Sequence, residues 1–494
     1  MLSLSLPKNK ALTFGDETMA VFSIIKLSEL EGAKRIDAEY YKPEYLIVEK
    51  KIKRCTHDKL NNLISILTDY HANGSYETLR NNVELLDKPD YALMLRTLNF
   101  VRDDFKCDVK YISKHAYNFL VKTQLFGYEV VINKIGEPGE VYMVPPLPNK
   151  MSLGMNLFMI KPKEEINGKY LYVYLISSFG KIALKRRVTG AVPLSIDKDS
   201  VRDVLVPVLN KELQLQINNL IENHFKFRFK SHDFYSQAET LLLEELGLKD
   251  FKPKYEKTYT AKLSDAFSAH RIDAEYFQPA YEEVVEKLRE KNIELKPLRK
   301  FILSIQKGIE PGSENYQDEG KPFIRVSNLS INGLINRDQK YLSKELYRQL
   351  RETYEPKQGD FLLTKDATPG IAYVVKEQIE GIISSGILKL QINESEINKE
   401  YLALCINSLI GRMQIERDGG GSVIVHWKPE QVKTLKIPLL PLSTQQKIAS
   451  LVQQSHNARR KAKELLEVAK RAVELAIEKN EKEALDYITQ SEKK

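Results

Sequence analysis

The sequence predicts an α+β protein with an internal pseudo-twofold repeat. Two similar modules are each followed by a long helix, and the two helices form an antiparallel coiled coil. The first observation is a hexapeptide, Arg-Ile-Asp-Ala-Glu-Tyr, which occupies 35–40 and recurs 236 positions later at 271–276. The second is that matches continue along both halves, and the third is an apolar repeat of about 3.5 residues near the end of each half.

The repeat extends well beyond the hexapeptide. Gly180 and Pro207 in the first half correspond to Gly411 and Pro438 in the second, both at an offset of 231. A small drift in offset along the chain indicates loop insertions within one shared fold. Two copies of this length are too long for a solenoid, whose repeats span about 20 to 50 residues. The chain therefore carries two copies of one domain.

Changes in amino-acid composition and in apolar periodicity along the chain divide it into regions. Strand-like runs before Pro-Gly turns mark the modules, whereas a charged, proline-containing stretch after the first long helix marks a linker. A charged end without a long apolar repeat is typical of a solvated tail. The expected regions are an N-terminal segment (1–45), a first module (46–210), a central long helix (211–248), a linker with the repeated N-terminal segment (249–285), a second module (286–441), a C-terminal long helix (442–480) and a disordered tail (481–494).

The long helices carry the clearest periodicity, because apolar residues alternate at steps of three and four. This spacing is typical of one helix packing along another. Large residues of the first helix have small counterparts in the second, which favours pairing between the two; separate packing of each helix on its own module is the alternative. The expected contact residues are Leu213, Ile217, Leu220, Phe227, Phe234, Leu241, Leu451, Ala458, Ala462, Leu465, Ala469 and Ala472.

Composition excludes several classes of protein. The 494 residues carry a formal net charge of +8, which permits a nucleic-acid partner without requiring one. Three widely separated cysteines and eight histidines show no spacing typical of a metal site or a disulfide framework, so we expect no metal. No run of 18 apolar residues is present, and we expect a cytoplasmic protein.

Two motifs in the second half carry a family resemblance. One is Gln-Gly-Asp-Phe-Leu-Leu-Thr-Lys at 358–365, with Pro369-Gly370 behind it, and the other is Leu-Lys-Ile-Pro-Leu-Leu-Pro at 435–441, followed by Gln-Gln-Lys-Ile at 445–448. Together with the alternation of modules and long helices, they make the chain resemble the specificity (S) subunit of Type I restriction–modification systems. The first half departs from the pattern at Asn210, which stands where the second half has Pro441. The subfamily therefore stays open, including systems similar to Type IIB.

The resemblance implies a function as well as a fold. In that family, two target-recognition domains each read half of a bipartite DNA sequence, and the paired helices set the gap between the half-sites. The subunit has no catalytic residue of its own. It holds DNA adenine methyltransferase subunits, two in number, and in a full complex restriction and translocation subunits; these partners bind S-adenosylmethionine, ATP and Mg²⁺. Double-stranded DNA is thus the expected ligand, with no membrane partner.

The candidate DNA contacts are polar residues near strand ends and repeated glycines. Positively charged groups would contact phosphates, and amides, hydroxyls and imidazoles would read base edges. In the first half they are Arg96, Asn99, Lys134, Lys185, Arg186, Arg187, Thr189 and Ser195. In the second half they are Arg325, Asn328, Lys365, Arg412, Arg417, Ser422, His426, Trp427 and Lys428.

Two sets of residues have more than one interpretation. The Arg/Asn pairs at 96/99 and 325/328 either contact DNA or cap the ends of strands. The repeated hexapeptides either pair Arg with Asp locally for structural reasons or dock a partner subunit.

Two other functions compete with DNA reading by a scaffold. A stand-alone methyltransferase or nuclease is disfavoured, because the chain lacks an Asp/Asn-Pro-Pro-Tyr/Phe tetrapeptide and a carboxylate cluster followed by Glu-x-Lys. A scaffold that never meets DNA is compatible with the modest net charge, and the family resemblance argues against it.

Overall fold

A computed structural model describes residues 22–33, 35–106, 108–335, 338–419 and 426–492. The contacts divide the chain into two compact units. The first comprises Met1–Lys226 with Lys461–Lys494, and the second comprises Phe227–Arg460. The boundary falls within both long helices, so each unit contains one module and part of each helix. The boundaries of the seven regions expected from the sequence remain predictions.

The described residues of the first unit form three sheets. A closing pair joins β1 to β10, a four-stranded sheet has the order β2-β9-β6-β7, and another has the order β4-β3-β8-β5. All pairs are antiparallel except β3 with β8. The strands are β1 (His57–Lys59), β2 (Ile64–Asp69), β3 (Ala92–Leu95), β4 (Lys110–Ile112), β5 (Gln124–Leu125), β6 (Val130–Asn133), β7 (Val141–Met143), β8 (Met151–Leu153), β9 (Leu157–Pro162) and β10 (Leu205–Pro207).

Helices cover these sheets and supply much of the first core. Tyr170 and Tyr174 are fully buried on one of them, and their hydroxyls donate to the carbonyl oxygens of Pro207 and Leu205 in β10. The helices are α1 (Leu27–Ala33), α2 (Pro43–Ile52), α3 (Leu60–Leu63), α4 (Tyr76–Asn82), α5 (Thr97–Arg102), α6 (Lys114–Phe119), α7 (Gly168–Ile176), α8 (Ser178–Lys185), α9 (Lys198–Arg202) and the long α10 (Lys211–Glu245).

The second unit repeats this topology. Its closing pair is β11-β21, its four-stranded sheet is β12-β20-β17-β18, and its three-stranded sheet β16-β13-β19 again contains one parallel pair, β13 with β19. A small hairpin, β14-β15, has no counterpart among the described strands of the first unit. The strands are β11 (Glu294–Pro297), β12 (Ile302–Lys307), β13 (Lys321–Ile324), β14 (Leu329–Ser330), β15 (Gly333–Leu334), β16 (Lys340–Leu342), β17 (Phe361–Thr364), β18 (Ala372–Val374), β19 (Ile382–Ile383), β20 (Ile387–Ile392) and β21 (Lys436–Leu439).

The helices of the second unit follow the same order. Tyr401 repeats the role of Tyr170, because its hydroxyl donates to the carbonyl oxygen of Pro438 in the closing pair. The α+β fold with an internal repeat is therefore confirmed. The remaining helices are α11 (Leu263–Ala269), α12 (Pro279–Glu290), α13 (Lys344–Tyr354), α14 (Lys399–Asn407), α15 (Leu409–Gly419), α16 (Pro429–Thr434), the long α17 (Leu442–Glu478) and α18 (Glu481–Glu492).

Helices α10 and α17 pack against each other within each unit. In the first unit the His224 Nδ1 atom lies 2.8 Å from the carbonyl oxygen of Ala462. In the second unit the Ser455 hydroxyl donates to the carbonyl oxygen of Ser231 at 2.7 Å. Residue numbers that rise along α10 meet residue numbers that fall along α17, so the two helices run antiparallel. The prediction of an antiparallel pair is confirmed.

The expected contact residues of the paired helices differ in burial. Leu213, Ile217 and Leu220 share a core with Ala469 and Ala472 in the first unit. The larger side chains at the remaining expected positions are half-buried. These half-buried residues are Phe227, Phe234, Leu241, Leu451 and Leu465, whereas Ala458 and Ala462 are buried.

The tail prediction is wrong, because residues 481–492 form helix α18 rather than a disordered end. Its Ala484 and Ile488 are buried in the core of the first unit. Glu481 accepts hydrogen bonds from the backbone and side-chain amides of Asn210, at 2.7 and 2.6 Å. The apolar residues Ala484 and Ile488, spaced four apart, therefore pack as one face of a helix although charged residues surround them in the sequence. Among the described residues, no helix has the length and apolar character needed to cross a membrane.

Removing the Ile488 side chain tests how much α18 stabilises the first unit. We expect Ile488→Ala to lower the free energy of unfolding by about 2–4 kcal/mol, since a 2% exposed isoleucine leaves a cavity. Urea unfolding followed by circular dichroism measures the change. The exposed Thr489→Ala is the control on the same helix, and an equal effect of both substitutions would contradict the docking of α18.

Candidate nucleic-acid interface

The Arg/Asn pairs cap the segments that follow equivalent strands. Arg96 follows β3, and its backbone N–H donates to Asn99 Oδ1 at 3.0 Å. Arg325 follows β13, and its N–H donates to Asn328 Oδ1 at 3.1 Å. Both asparagines are buried, so their assignment as DNA contacts is corrected to capping.

The two arginines of these caps are partly accessible. The Arg96 guanidinium binds Asp108, with 3.3 Å between Nη2 and Oδ1, and that of Arg325 binds Asp338, with 3.0 Å between Nη2 and Oδ2. Each arginine is thus oriented by a carboxylate near a strand end. Their DNA contacts remain a prediction.

Lys134 and Lys365 occupy equivalent positions and are both paired with carboxylates. Lys134 Nζ lies 2.7 Å from Asp69 Oδ2, and Lys198 Nζ lies 2.8 Å from the other oxygen of Asp69. Lys365 pairs with the neighbouring Asp366. Burial acts to raise the pKa of Asp69, but hydrogen bonds from the two lysines outweigh it and hold the pKa below its usual value. Both lysines therefore have internal partners that would compete with phosphate.

Sequence reasoning missed Asp69 and Lys198. Asp69 lies at the end of β2 and Lys198 at the start of α9. Their spacing in the sequence gives no indication that the two side chains form an ion pair.

A charge-neutralising change tests the Asp69 cluster. We expect Asp69→Asn to lower the free energy of unfolding by about 1–3 kcal/mol at pH 6, because it leaves two partly buried ammonium groups without their carboxylate. The lowered pKa of Asp69 means that its contribution is present above its unfolded pKa and is lost as pH falls through the folded value. The difference between wild type and variant should therefore shrink below about pH 4. Urea unfolding at pH 6 and pH 3 measures it, and a constant difference would contradict the assignment.

In the first unit, the loop after α8 lies beside Lys134. The backbone N–H of Ile196 donates to the carbonyl oxygen of Lys134 at 3.0 Å, and Thr189 and Ser195 exchange backbone hydrogen bonds at 2.8 and 2.9 Å. These bonds close a short loop, in which Gly190 adopts a φ of +95° that favours glycine. Lys185 and Thr189 are exposed, and Ser195 is half-buried.

Two arginines of this loop bind inside the protein. Arg186 is buried, pairs with Glu49 and donates from Nε to the carbonyl oxygen of Tyr40 at 2.9 Å, so its assignment as a DNA contact is corrected. Arg187 donates to the carbonyl oxygens of Ala183 and Asp203, at 2.8 and 2.7 Å. Both guanidinium groups thus hold α8 to neighbouring elements.

The second unit places an equivalent segment beside Lys365. The backbone N–H of Trp427 donates to the carbonyl oxygen of Lys365 at 2.8 Å. His426 is exposed, and its Nδ1 atom lies 2.9 Å from Asp366 Oδ1. Trp427 is only 1% exposed and lies in the core, so its assignment as a DNA contact is wrong.

The remaining candidates of the second unit differ in accessibility. Arg412 and Lys428 are exposed. Arg417 is half-buried, and its guanidinium carbon lies 5.2 Å from the centre of the Tyr276 ring. Ser422 lies outside the described residues. The exposed candidates are therefore Arg412, His426 and Lys428, which stay predictions.

A cleft in the first unit brings the candidate Arg96 together with residues that the sequence did not suggest. Its volume is about 380 Å³, and Tyr70, Tyr76, Arg80, Arg96 and Asn156 are among the residues that line it. No group of three His, Cys, Asp or Glu side chains in the described part of the chain could hold a metal ion.

Comparison with known proteins supports the resemblance inferred from the motifs. Residues 292–488 match the family described as the Type I restriction modification DNA specificity domain. The chain is 24% identical over 383 residues to a putative Type I restriction enzyme MjaX specificity subunit from Methanocaldococcus jannaschii, covering 74% of this chain and 80% of that protein.

Solved structures give weaker likenesses. The Type I restriction–modification S subunit from M. genitalium has a TM-score of 0.37 at 14% identity, covering 84% of this chain and 94% of that one. The HsdS subunit from Thermoanaerobacter tengcongensis has a TM-score of 0.26 at 14% identity, with 86% and 96% covered. The family match over 292–488 nevertheless confirms the resemblance: the second half of the chain carries a Type I DNA specificity domain, a module for recognition rather than catalysis.

Proposed function

We propose that both halves of the chain read DNA, each contacting one half of a bipartite site, and that the chain holds methyltransferase subunits on that site. The observation that carries the proposal is the repetition of one arrangement in both units. In each, a lysine at the end of an equivalent strand lies beside a loop with exposed polar residues. Lys134 neighbours the loop with Thr189, and Lys365 neighbours the segment with His426.

The exposed residues suit recognition of a duplex. Lys185, Arg412 and Lys428 would contact phosphates, since exposed cations supply most affinity for DNA without reading its sequence. Thr189, Ser195 and His426 differ between the halves and would read base edges. Because of these differences, the two units would recognise different base sequences.

The chemistry would reside on partner subunits. We expect S-adenosylmethionine on two DNA adenine methyltransferase subunits, and ATP and Mg²⁺ on restriction subunits where a system has them. A reader with two halves suits modification of two strands at one site, and the duplicated fold supplies two equivalent halves.

A salt titration of duplex binding tests the proposal. The purified chain, assembled with its methyltransferase subunit, is titrated with a labelled duplex at 50 to 300 mM salt, and anisotropy gives the affinity. We expect the logarithm of the binding constant to fall linearly with the logarithm of salt concentration, and Lys428→Ala to reduce the slope by about 0.9. Lys482→Ala, an exposed lysine of helix α18 outside both loops, is the matched control and should leave the slope unchanged. Binding without salt dependence would overturn DNA reading.

A further inference from the structure

One wall of the cleft in the first unit is a helix without a counterpart among the described residues of the second unit. Helix α4 lies between β2 and β3 and supplies Tyr76, Leu79 and Arg80 to the lining. Between the equivalent strands β12 and β13, the described residues form only a single helical turn, Ser313–Asn315. The repeat of the fold therefore does not account for the cleft. Its volume of about 380 Å³ lies within the range of about 300–1,000 Å³ that is usual for ligand sites.

The floor of the cleft is apolar and its rim is aromatic. Leu79 and Met94 are each 2% exposed and belong to one small core, against which Val83 packs. Tyr70 lies in the same core, whereas Tyr76 is 71% exposed at the rim. A flat aromatic group fits a surface of this kind, because it covers the apolar floor and stacks on a tyrosine ring.

The charged residues that line the cleft are arginines. They are Arg80 and Arg96, and no Asp or Glu is among the described residues of the lining. Arg80 is exposed, and its guanidinium forms no ion pair or hydrogen bond within the described part of the chain. Arg96 shares the carboxylate of Asp108 with Arg102, at nitrogen–oxygen distances of 3.3 and 2.9 Å, so one anion balances two cations. The cleft therefore carries unbalanced positive charge, which favours an anionic ligand.

Asn156 adds an amide that can both donate and accept hydrogen bonds. It is exposed at the cleft, and its side chain makes no hydrogen bond with any other described residue. Its backbone is fixed, because its carbonyl oxygen accepts from the backbone N–H of Lys134 at 2.7 Å. An amide held in this way can pair with the edge of a heterocycle that carries one donor and one acceptor. The same hydrogen bond places the cleft beside Lys134, within the candidate nucleic-acid interface.

We infer that the cleft binds one nucleotide, with its base on the apolar floor beside Tyr76, the edge of the base at the Asn156 amide and its phosphate at Arg80. A nucleotide combines the three properties that the lining favours: a flat aromatic group, an edge with a donor and an acceptor, and negative charge. The nucleotide comes either from solution or from a base displaced out of the bound duplex. The first source is independent of the proposed function, and the second rests on it.

Binding of single nucleotides to the full chain tests the inference. Calorimetric titration with each of the four deoxynucleoside 5′-monophosphates gives the dissociation constants. We expect at least one of them to occupy one site per chain with a Kd below about 1 mM. Arg80→Ala and Tyr76→Ala should each weaken binding at least about tenfold, because the phosphate contact or the stacking partner is lost. Asn156→Gly tolerates the φ of +67° at this position and should narrow the differences in affinity among the four bases.

Matched controls replace residues of the first unit that do not line the cleft. Arg54→Ala removes an exposed arginine that, like Arg80, forms no ion pair with the described residues. Phe126→Ala removes an aromatic side chain that is 66% exposed. Both variants should bind the nucleotide as the wild type does, and equal weakening by the controls and the cleft variants would overturn the inference. Tyr76 and Arg80 are exposed, so their variants should keep the circular dichroism and the urea unfolding of the wild type.

A duplex labelled with 2-aminopurine identifies the source of the nucleotide. The fluorescent base replaces each base of the recognised site in turn, and the chain is added without its methyltransferase, because methyltransferases themselves displace bases. Fluorescence that rises at one position with the wild type and not with Tyr76→Ala would assign the nucleotide to the duplex, whether or not free nucleotides bind. Binding of a free nucleotide without a rise at any position would assign it to solution. Both outcomes support the inference.

Three other outcomes separate the inference from its alternatives. Salt-dependent duplex binding with no nucleotide binding and no rise in fluorescence would overturn the cleft site and leave DNA reading intact. Nucleotide binding with no duplex affinity would leave the cleft site standing and overturn DNA reading. Decanoate that binds more tightly than every nucleotide, and loses affinity in Arg80→Ala, would show that the cleft takes an aliphatic anion and would overturn the inference.

Discussion

Replacing residues 286–441 with the corresponding module of a related specificity subunit is expected to change one half of the recognised sequence and leave the other half unchanged. The physical reason is that every strand pair among the described residues of the second unit lies within that range, from β11 at Glu294 to β21 at Leu439. The strand pairs found in the described part of the first unit lie between His57 and Pro207. The exchange therefore cuts no sheet.

The junction of this exchange has one structural requirement. Residue 286 lies within helix α12, whose Ala280, Tyr281, Val284 and Leu288 are buried in the second core. The incoming module must keep a large apolar residue at position 288, since an alanine there would cost about 2–5 kcal/mol. With that residue retained, the exchange should preserve folding.

Sequencing of methylated adenines in cells that carry the exchanged chain measures the result. We expect the first half-site to be retained and affinity for the original second half-site to fall more than about 100-fold, because each mismatched base pair costs about 1–3 kcal/mol. The control exchanges 286–441 for a recoded copy of the native module. A change in both half-sites would contradict two independent readers.

The repeat made most of the fold predictable. A long helix was expected over 211–248, and α10 occupies Lys211–Glu245; another was expected over 442–480, and α17 occupies Leu442–Glu478. Periodicity over many turns gives a strong signal, because every turn contributes an independent apolar position. The short helix α18 has only three turns, and its apolar positions were obscured by neighbouring charges.

The candidate site was less predictable, because residue type does not reveal burial. Arg186 and Trp427 stand beside repeated glycines in the sequence, as a DNA-contacting residue would. Arg186 instead holds Tyr40, which is 146 positions away, and Trp427 lies in the core. Only the three-dimensional packing of distant segments distinguishes such residues from Lys185 and Lys428, which are exposed.

Lengthening both long helices by one heptad is expected to lengthen the tolerated gap between half-sites by about three base pairs. Seven helical residues add about 10 Å at 1.5 Å per residue, and base pairs are spaced about 3.4 Å apart along the duplex. Both helices continue from one compact unit into the other, so an insertion in both changes the length of the connection without altering either module.

The contacts between the helices determine where the heptads belong. His224 meets Ala462 in one unit, and Ser231 meets Ser455 in the other. An insertion after Phe227 in α10 and after Ala458 in α17 leaves both contacts in place, provided that the new residues keep the apolar spacing of 3.5.

An insertion in α10 alone is the matched control for this lengthening. It shifts one helix against the other, so the contacts of His224 and Ser231 cannot both form. Because buried polar groups then lose their partners, we expect the free energy of unfolding to fall by about 3 kcal/mol or more. The paired insertion should keep wild-type stability and bind duplexes whose central gap is three base pairs longer. Anisotropy with a series of duplexes of graded gap length measures the shift. An unchanged preferred gap in the stable paired variant would show that the helices do not determine the distance between half-sites.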